Sequence, residues 1–552
     1  MTASRPLVLL AAMALPACDP GPSGAADAGE VEVSFDVRDD GADALARCPI
    51  EDVPGDGVVQ TDRGAVRGAR DGAVWSFLGV PYAAPPVGEL RWRAPAPAAC
   101  WSGALPATSW GPACPQSDAA GTAPVFGDED CLRAQVWTRS LASDARKPVL
   151  VWIHGGGFTL GAPGQQSVDG TRIYDGARFV AREDVVVVSI GYRLGVLGWL
   201  AHPALDVEDR RRPSGNYGLL DQLAALRWVQ RNAAAFGGDP ARVTIFGESA
   251  GGAAVCALIA SPLAKGLFSR AIIESGGCGA RTVPDAEAHG AKVVAAAKCE
   301  SAPDIARCLR ALPAAQLVGA LPTTVDVAGP APVYGPIVDG VALTGAPLDV
   351  IGAGGHVAVP LLIGTNADET SKTVPLPTTA SDADYRAAVA ARFPALGAEV
   401  LARYPSSDYA SPWAAFVALT TDAKFVCPAR RAARAFADGQ VEPVFRYVFS
   451  HALDDAPAQK KFGAWHGVEV LYVFDHLAVA GYVPSPAETA LAATIEHAWA
   501  RFADGGDPND GASPPPWPRW DATDPYLRLD APLSTGAGVR TAQCDFWDGV
   551  SP

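Results

Sequence analysis

The sequence predicts an α/β fold in which a large, central and mostly parallel β-sheet is flanked by helices. Short apolar runs of strand character alternate with helical segments such as Leu219 to Phe236. Continuous apolar runs are typical of strands in a parallel sheet, because helices cover both of its faces. Two of these runs end at Ile153 and Phe246, and each leads directly into a glycine-rich turn. The two turns indicate which chemistry the sheet carries.

The first turn follows the apolar strand Val149 to Ile153 and has the sequence HGGGF at 154–158. Consecutive glycines allow backbone N–H groups to approach a substrate carbonyl without obstruction by side chains. Together with the N–H of Ala250, those of Gly156 and Gly157 would form an oxyanion hole. The alternative is a flexible glycine turn at a domain surface.

The second turn has the sequence GESAGG at 247–252, which puts a serine between glycines. The β-branched run Arg242 to Phe246 precedes it, and the apolar helical run Ala253 to Ala260 follows it. A serine at such a strand-to-helix turn is the nucleophile elbow, where glycines are needed because the turn is strained and crowded. An incidental turn is easy to find among 57 glycines in 552 residues, but the flanking strand and helix favour Ser249 as a nucleophile.

Further motifs resemble those of the type-B carboxylesterases, which share the α/β-hydrolase fold with cholinesterases and neuroligins. The resemblance extends from about Val58 to Trp547 and implies a serine carboxylesterase acting on a small-molecule ester. The motifs occur in the family's order: FLGVPYA at 77–83, EDCL at 129–132, NYGLLDQ at 216–222, FGGDP at 236–240, GTNADE at 364–369, WHGVE at 465–469 and WP at 517–518. The series is specific to the family but not to any one ester.

The acid and the histidine of a catalytic triad should follow the serine along the chain. After the apolar run 357–364, spacing alone leaves both Asp368 and Glu369 as candidate acids. The resemblance implies Glu369, with Asp368 as a neighbouring structural carboxylate. It also implies His466 as the base, whereas His451, His476 and His497, the other histidines after this point, are expected to be structural or surface residues.

These residues predict acyl transfer through an acyl-enzyme. His466 would take the proton of Ser249, Glu369 would orient the imidazole, and water would then hydrolyse the acyl-enzyme. Glu248 resembles the family's buried carboxylate behind the active site, although an acid favoured by a helix N-terminus is an equally good interpretation. The chain has neither an HExxH motif nor paired CxxC motifs, so we expect no metal and no cofactor.

Charge and spacing constrain the partners and the domain organisation. The formal charge of −16 disfavours nucleic acid as a partner. The proposed site residues are spread from about 150 to 470 with no linker between them, which predicts one catalytic domain over residues 51–552.

The N-terminus resembles a bacterial lipoprotein signal. Residues 1–18 have a basic start at Arg5 and an apolar core that is too short to span a bilayer, and they end at LPAC, where Cys18 would be lipidated. Residues 19–50 are acidic and rich in small residues, which is typical of a flexible tether. We therefore expect an extracytoplasmic enzyme whose only membrane contact is a lipid anchor; the alternative is ordinary signal cleavage and secretion into the periplasm or beyond.

The ten remaining cysteines suit an oxidising compartment. The resemblance implies three disulfides, Cys114–Cys131, Cys299–Cys308 and Cys427–Cys544. Cys48, Cys100, Cys256 and Cys278 are left over, and their pairing stays open because some of them could equally be free buried thiols.

The main alternative function is a non-catalytic adhesion module of the neuroligin kind. Such proteins lose the nucleophile, whereas Ser249, Glu369 and His466 are all present here. A cholinesterase is disfavoured because the family's choline-binding aromatic residue would fall between Asp118 and Asp128. The only aromatic residue in that segment is Phe126, and it holds no Trp or Tyr. The motifs specify neither the acyl and alcohol groups of the ester nor an oligomeric state.

Overall fold

A computed structural model describes residues 48–51, 53–208, 213–511 and 515–550. The predicted signal segment 1–18, its lipidation site Cys18 and nearly all of the tether 19–50 lie outside these residues. The described residues belong to one compact unit, Arg47–Pro552. Among them, no helix combines the length and the hydrophobicity needed to cross a lipid bilayer.

The described strands, numbered in chain order, are β1 Val58–Gln60, β2 Ala65–Arg67, β3 Ala69–Asp71, β4 Val74–Pro81, β5 Ala104–Pro106, β6 Arg133–Thr138, β7 Lys147–Ile153, β8 Val186–Ile190, β9 Gly238–Glu248, β10 Arg270–Glu274, β11 Arg281–Thr282, β12 Ile337–Val338, β13 Leu361–Asn366, β14 Val444–Phe449, β15 Pro525–Leu529 and β16 Ser534–Ala537.

The described helices are α1 Ala177–Arg182, α2 Gly195–Trp199, α3 Pro203–Asp206, α4 Tyr217–Asn232, α5 Ala250–Ala260, α6 Val283–Ala296, α7 Ile305–Arg310, α8 Ala314–Ala320, α9 Pro347–Gly352, α10 Asp382–Arg392, α11 Gly397–Arg403, α12 Pro412–Thr421, α13 Cys427–Gly439, α14 Pro457–Lys460, α15 Val470–Val473, α16 Pro486–Gly505 and α17 Thr541–Val550. A π-helical turn, Asp422–Val426, joins α12 to α13.

Eleven strands form the central sheet in the order β16-β15-β14-β13-β10-β9-β7-β8-β6-β4-β3. The strands from β15 to β8 run parallel to one another. Antiparallel strands extend the sheet at both edges. The predicted large and mostly parallel sheet is therefore confirmed, and its parallel strands end together at one edge.

The sheet is buried on both faces, as the continuous apolar runs predict. On β7, Val149 and Val151 face a core shared with α4 and α5, whereas Leu150 and Trp152 face a second core shared with α16. The helix predicted over 219–236 is α4, which is followed by a 3₁₀ turn, Ala233–Phe236. The segment ends at Gly237, whose φ of 78° is left-handed.

Five disulfides are present in the described part of the chain: Cys48–Cys100, Cys114–Cys131, Cys256–Cys278, Cys299–Cys308 and Cys427–Cys544. Three of them are the pairs that the resemblance implies, and the first and third involve the four cysteines left open above. Cys256 lies on α5, so its bond ties the helix behind Ser249 to the segment after β10.

Candidate active site

Ser249 occupies a one-residue turn between β9, which ends at Glu248, and α5, which begins at Ala250. Its φ of 59° and ψ of −121° lie in a region that residues other than glycine rarely adopt, at a cost of roughly 1–3 kcal/mol. A Cβ on Gly251 would lie 1.9 Å from the carbonyl oxygen of Ile153. The close packing of strand and helix therefore requires glycine two residues after the serine.

The imidazole of His466 joins this serine to a carboxylate. Its Nε2 lies 2.8 Å from Oγ of Ser249, and its Nδ1 lies 2.6 Å from Oε2 of Glu369. The backbone N–H of His466 also donates to the carbonyl oxygen of Glu369, at 3.1 Å. The ring of Phe425, from the π-helical turn, lies 4.9 Å from the imidazole. The loop is thus held to the acid by main chain and side chain together.

Asp368 and Glu369, which spacing alone does not separate, have different partners. The buried carboxylate of Glu369 accepts the N–H of Asn366 at 2.8 Å through the oxygen that does not face His466. The carboxylate of Asp368 accepts the N–H of Ala464 at 3.1 Å, and burial raises its pKa. The first therefore contacts the imidazole, whereas the second holds the loop that carries it.

The glycine loop after β7 lies directly against the nucleophile turn, since a Cβ on Gly155 would be 3.1 Å from that of Ser249. Gly156 and Gly157 have φ angles of 102° and 62°. Within the described part of the chain, neither of their N–H groups has a hydrogen-bond acceptor. Ala250 is the first residue of α5, where an N–H has no acceptor within the helix. These three N–H groups are available to a carbonyl oxygen.

Two side chains that the motifs do not identify support this loop. Gln116 donates to the carbonyl oxygen of Gly161 and accepts its N–H, both at 2.8 Å. The hydroxyl of Tyr192 donates to the carbonyl oxygen of His154 at 2.8 Å, and the two rings stack at 4.4 Å. Burial lowers the pKa of His154 to about 4, so its ring adds no charge near neutral pH.

Buried carboxylates lie behind the serine. Oε1 of Glu248 is 3.1 Å from Nε2 of His466, and burial raises the pKa of Glu248. Trp499 donates to Glu274 at 2.8 Å, and burial raises the pKa of Glu274 to about 8. Asn366 donates to Glu469. Sequence patterns do not identify the last two acids as part of the site, although Glu469 belongs to the WHGVE motif.

Comparisons with known proteins identify the family of the chain. A model of the carboxylesterase family matches residues 55–547. The chain belongs to the carboxylesterase family. The fumonisin B1 esterase of Sphingopyxis macrogoltabida is 35% identical over 519 residues, which cover 90% of this chain and 88% of the relative. The cocaine esterase of Oryctolagus cuniculus is 34% identical, covering 89% of this chain and 95% of the relative.

The fold of this carboxylesterase is the α/β-hydrolase fold. The solved structure of a PNB esterase is 33% identical, with a TM-score of 0.74, and the match covers 89% of this chain and 99% of that one. The enzyme is therefore a carboxylic ester hydrolase, as the sequence predicts.

The other three histidines that follow Glu369 in the sequence have partners outside this site. His476 contacts the carbonyl oxygen of Asp175 at 3.0 Å, and His497, whose side chain is 44% exposed, contacts Glu183 at 3.3 Å. His451 is buried and contacts Asp530 at 2.8 Å. None of the three contacts Ser249 in the described residues.

Proposed function

We propose that the enzyme hydrolyses carboxylic esters through a Ser249–His466–Glu369 triad and an acyl-enzyme intermediate. The observation that carries this proposal is the pair of contacts made by one imidazole, 2.8 Å to Ser249 and 2.6 Å to Glu369. A serine hydroxyl is a weak nucleophile until an adjacent base accepts its proton.

In the first half of the reaction, Oγ of Ser249 attacks the ester carbonyl carbon while Nε2 of His466 takes the hydroxyl proton. Glu369 fixes the proton on Nδ1 and stabilises the imidazolium that forms. The C–O bond to the alcohol then breaks, and His466 gives its proton to the departing oxygen. The acyl group stays on Ser249.

In the second half, water replaces the alcohol. His466 removes a proton from the water as it attacks the acyl carbon, and returns a proton to Oγ as the acid departs. Both halves pass through a tetrahedral oxyanion, which accepts hydrogen bonds from the N–H groups of Gly156, Gly157 and Ala250. Such preorganised donors stabilise charge that develops only in the transition state.

Glu248 modifies the base without entering the reaction. Burial alone would lower the pKa of His466, but the nearby carboxylates of Glu248 and Glu369 raise it above its ordinary value. Opposite charge at 3.1 Å favours the imidazolium that the attack creates. We therefore assign Glu248 the role of stabilising the charged form of the base.

The substrate is a small ester whose substituents contact apolar side chains. Val325 lies beside the glycine loop, with its methyl carbons 3.2 Å from the position of a Cβ on Gly157. Phe425 covers one side of His466. The relatives are named for esters as different as fumonisin B1 and cocaine, so a series of p-nitrophenyl esters of increasing acyl length is the direct way to find this enzyme's preference.

The decisive test is Ser249→Ala, assayed on p-nitrophenyl esters and with a fluorophosphonate that labels activated serines. We expect activity to fall by at least about 10⁴-fold and labelling to disappear. Ser275→Ala is a matched control, because Ser275 is also buried at a positive φ, 50°, directly after the neighbouring strand β10. Full activity in Ser249→Ala would exclude the proposed mechanism.

We also infer that the enzyme has one catalytic domain and an extracytoplasmic location. The single compact unit supports one catalytic domain over residues 51–552, although Cys48, near the end of the predicted tether, is bonded to Cys100. The five disulfides support an oxidising compartment. Lipidation of Cys18 would hold the enzyme on an extracytoplasmic membrane face. Cys18→Ser should then release it from the membrane fraction or block its processing.

A further inference from the structure

His451, Asp454 and Glu488 converge at a point outside the triad. His451 lies two residues after β14, Asp454 lies in the loop that follows, and Glu488 lies in the first turn of α16. Nε2 of His451 is 3.6 Å from Oε1 of Glu488 and 3.9 Å from Oδ2 of Asp454. One ligand atom from each side chain lies within 4.8 Å of the others.

The imidazole of His451 directs an unpaired nitrogen at these two acids. Its side chain is 7% exposed, and its Nε2 has no hydrogen-bond partner among the described residues. Its Nδ1 lies 2.8 Å from Oδ1 of Asp530. The other carboxylate oxygen of Asp530 accepts the hydroxyl of Ser450 at 2.8 Å, which holds this acid beside the imidazole. With Nδ1 in contact with Asp530, Nε2 is the ring nitrogen that faces Glu488 and Asp454.

Glu488 and Asp454 complete a set of three possible metal ligands with His451. Glu488 is fully buried, and its hydrogen-bond donors include the neutral hydroxyl of Tyr482 at 2.7 Å and the backbone N–H of Asp454 at 3.2 Å. The ammonium of Lys460 lies 4.0 Å from Asp454 on a side chain that is 55% exposed. Buried charges are normally paired or bound to metal. A cation bound to Nε2 of His451 would also meet the carboxylates of Glu488 and Asp454.

We propose that His451, Asp454 and Glu488 bind one Zn²⁺ ion. Zinc bonds of about 2.0–2.2 Å put tetrahedral ligands roughly 3.4 Å apart, close to the two distances that His451 makes. Mixed imidazole and carboxylate ligands favour zinc over calcium or magnesium, which prefer oxygen alone. The contact from Nδ1 to Asp530 fixes the tautomer that zinc needs, as outer carboxylates do in zinc sites.

The proposed ion would stabilise the segment that carries His466. The proposed ligands at 451 and 454 precede His466 in the sequence, and the ligand at 488 follows it. Asp530, which contacts His451, comes directly after β15. A cation bound by these segments would hold the two ends of the loop that carries His466 against the sheet and α16. The site is structural in this proposal, and it is independent of whether the triad works as proposed.

The test uses untagged protein that is dialysed against a chelator and then titrated with Zn²⁺. We expect one tightly bound equivalent by calorimetry and elemental analysis, and a rise in Tm of roughly 2–4 °C at a hundredfold excess over Kd. Co²⁺ in its place should give visible absorption bands. His451→Gln should weaken binding by at least about tenfold, and Asp454→Asn, at a partly exposed residue, provides a second variant should the first fold poorly.

His497→Gln is the matched control. This histidine also lies between two carboxylates, Glu183 at 3.3 Å and Asp510 at 3.7 Å, but it is 44% exposed. Its loss should leave the affinity for Zn²⁺ and the change in Tm unaltered. The proposal is wrong if Zn²⁺ does not bind, if His451→Gln and Asp454→Asn bind it as the unaltered enzyme does, or if only His497→Gln loses it. Failure to bind would mean that a proton on Nε2 balances the acids instead.

Discussion

His451 and His466 lie near each other in the sequence, and the imidazole of each has a carboxylate beside one of its two nitrogens. Each directs Nδ1 at a carboxylate, Asp530 at 2.8 Å for the first and Glu369 at 2.6 Å for the second. Their Nε2 atoms differ. That of His466 lies 2.8 Å from the hydroxyl of Ser249 and 3.1 Å from Glu248, whereas that of His451 faces carboxylate oxygens at 3.6 and 3.9 Å and has no hydroxyl partner among the described residues. The carboxylate–imidazole pair is common to both sites, and the third group decides its chemistry.

A hydroxyl opposite Nε2 offers a proton, which makes the imidazole a base. At His451 no hydroxyl faces Nε2 in the described residues, and the imidazole is suited to the role of ligand that we propose for it. The comparison predicts that Glu369 affects the rate of hydrolysis, whereas Asp530 does not, although each carboxylate makes a similar contact with an Nδ1 atom.

Glu369→Gln should reduce kcat by about 10³–10⁴-fold, because the imidazole loses the anion that orients it and stabilises its charge. Asp530→Asn, the equivalent change beside His451, should leave kcat nearly unaltered. The measurement is steady-state hydrolysis of a p-nitrophenyl ester. Asp368→Asn is an adjacent control that should lower Tm more than kcat. Equal losses from Glu369→Gln and Asp530→Asn would contradict the distinction between the two histidines.

The glycine loop is a second feature that the His451 site lacks. In Gly156→Ala, the new Cβ would lie 2.2 Å from the carbonyl oxygen of Leu160 and would sit at a φ of 102°, so the loop must move. Displacing an oxyanion donor should lower kcat by about 10²–10³-fold. Gly170→Ala is the matched control, since its φ is also positive, at 86°, but its nearest neighbour is 3.9 Å away. If both variants lose the same activity, strain rather than donor position explains the effect.

The fold and the meeting of Ser249, Glu369 and His466 can be predicted from the sequence, because the residues that determine each part are contiguous in the chain. A strand, a turn and a helix follow one another around Ser249, and strand and loop do so around Gly156. The choice between Asp368 and Glu369 came from the resemblance, since a difference of one residue changes the direction of a side chain in a way that spacing does not encode. The contacts in the structure separate them, with only Glu369 reaching His466.

The His451 cluster could not be predicted in this way. Its ligands come from the end of a strand, a loop and a helix start, and no motif of fixed spacing contains all three. Glu274 was missed for a related reason, since its burial and its bond to Trp499 depend on packing between β10 and α16. Sequence patterns identify residues that act within one segment, and they miss those that meet only through the fold.

Glu248→Gln tests the charge behind His466. A base acts only when it is neutral, so kcat/KM falls as the pH drops below the pKa of His466 in the free enzyme. Glu248 raises that pKa, and its neutralisation should lower it, moving the acid limb of the profile to lower pH by roughly one unit or more. Glu274→Gln is the control, because that acid contacts Trp499 rather than His466. A shift toward higher pH, or an equal shift in the control, would contradict this role for Glu248.

Removal of metal should produce the smallest effect and should separate the two histidines most clearly. A structural ion beside His451 contributes to the free energy of unfolding but takes no part in bond making, so a chelator should lower Tm by a few degrees while kcat well below Tm stays the same. The loss should be equal in the unaltered enzyme and in Ser249→Ala, because that substitution leaves all three proposed ligands in place. It should be absent in His451→Gln, which has no site to empty. Scanning calorimetry and initial rates, measured on the same samples, distinguish these cases. If the chelator stops hydrolysis at a temperature where the protein is still folded, the ion takes part in the reaction. In that case His451 and His466 do not have the separate structural and catalytic roles that the partners of their Nε2 atoms indicate.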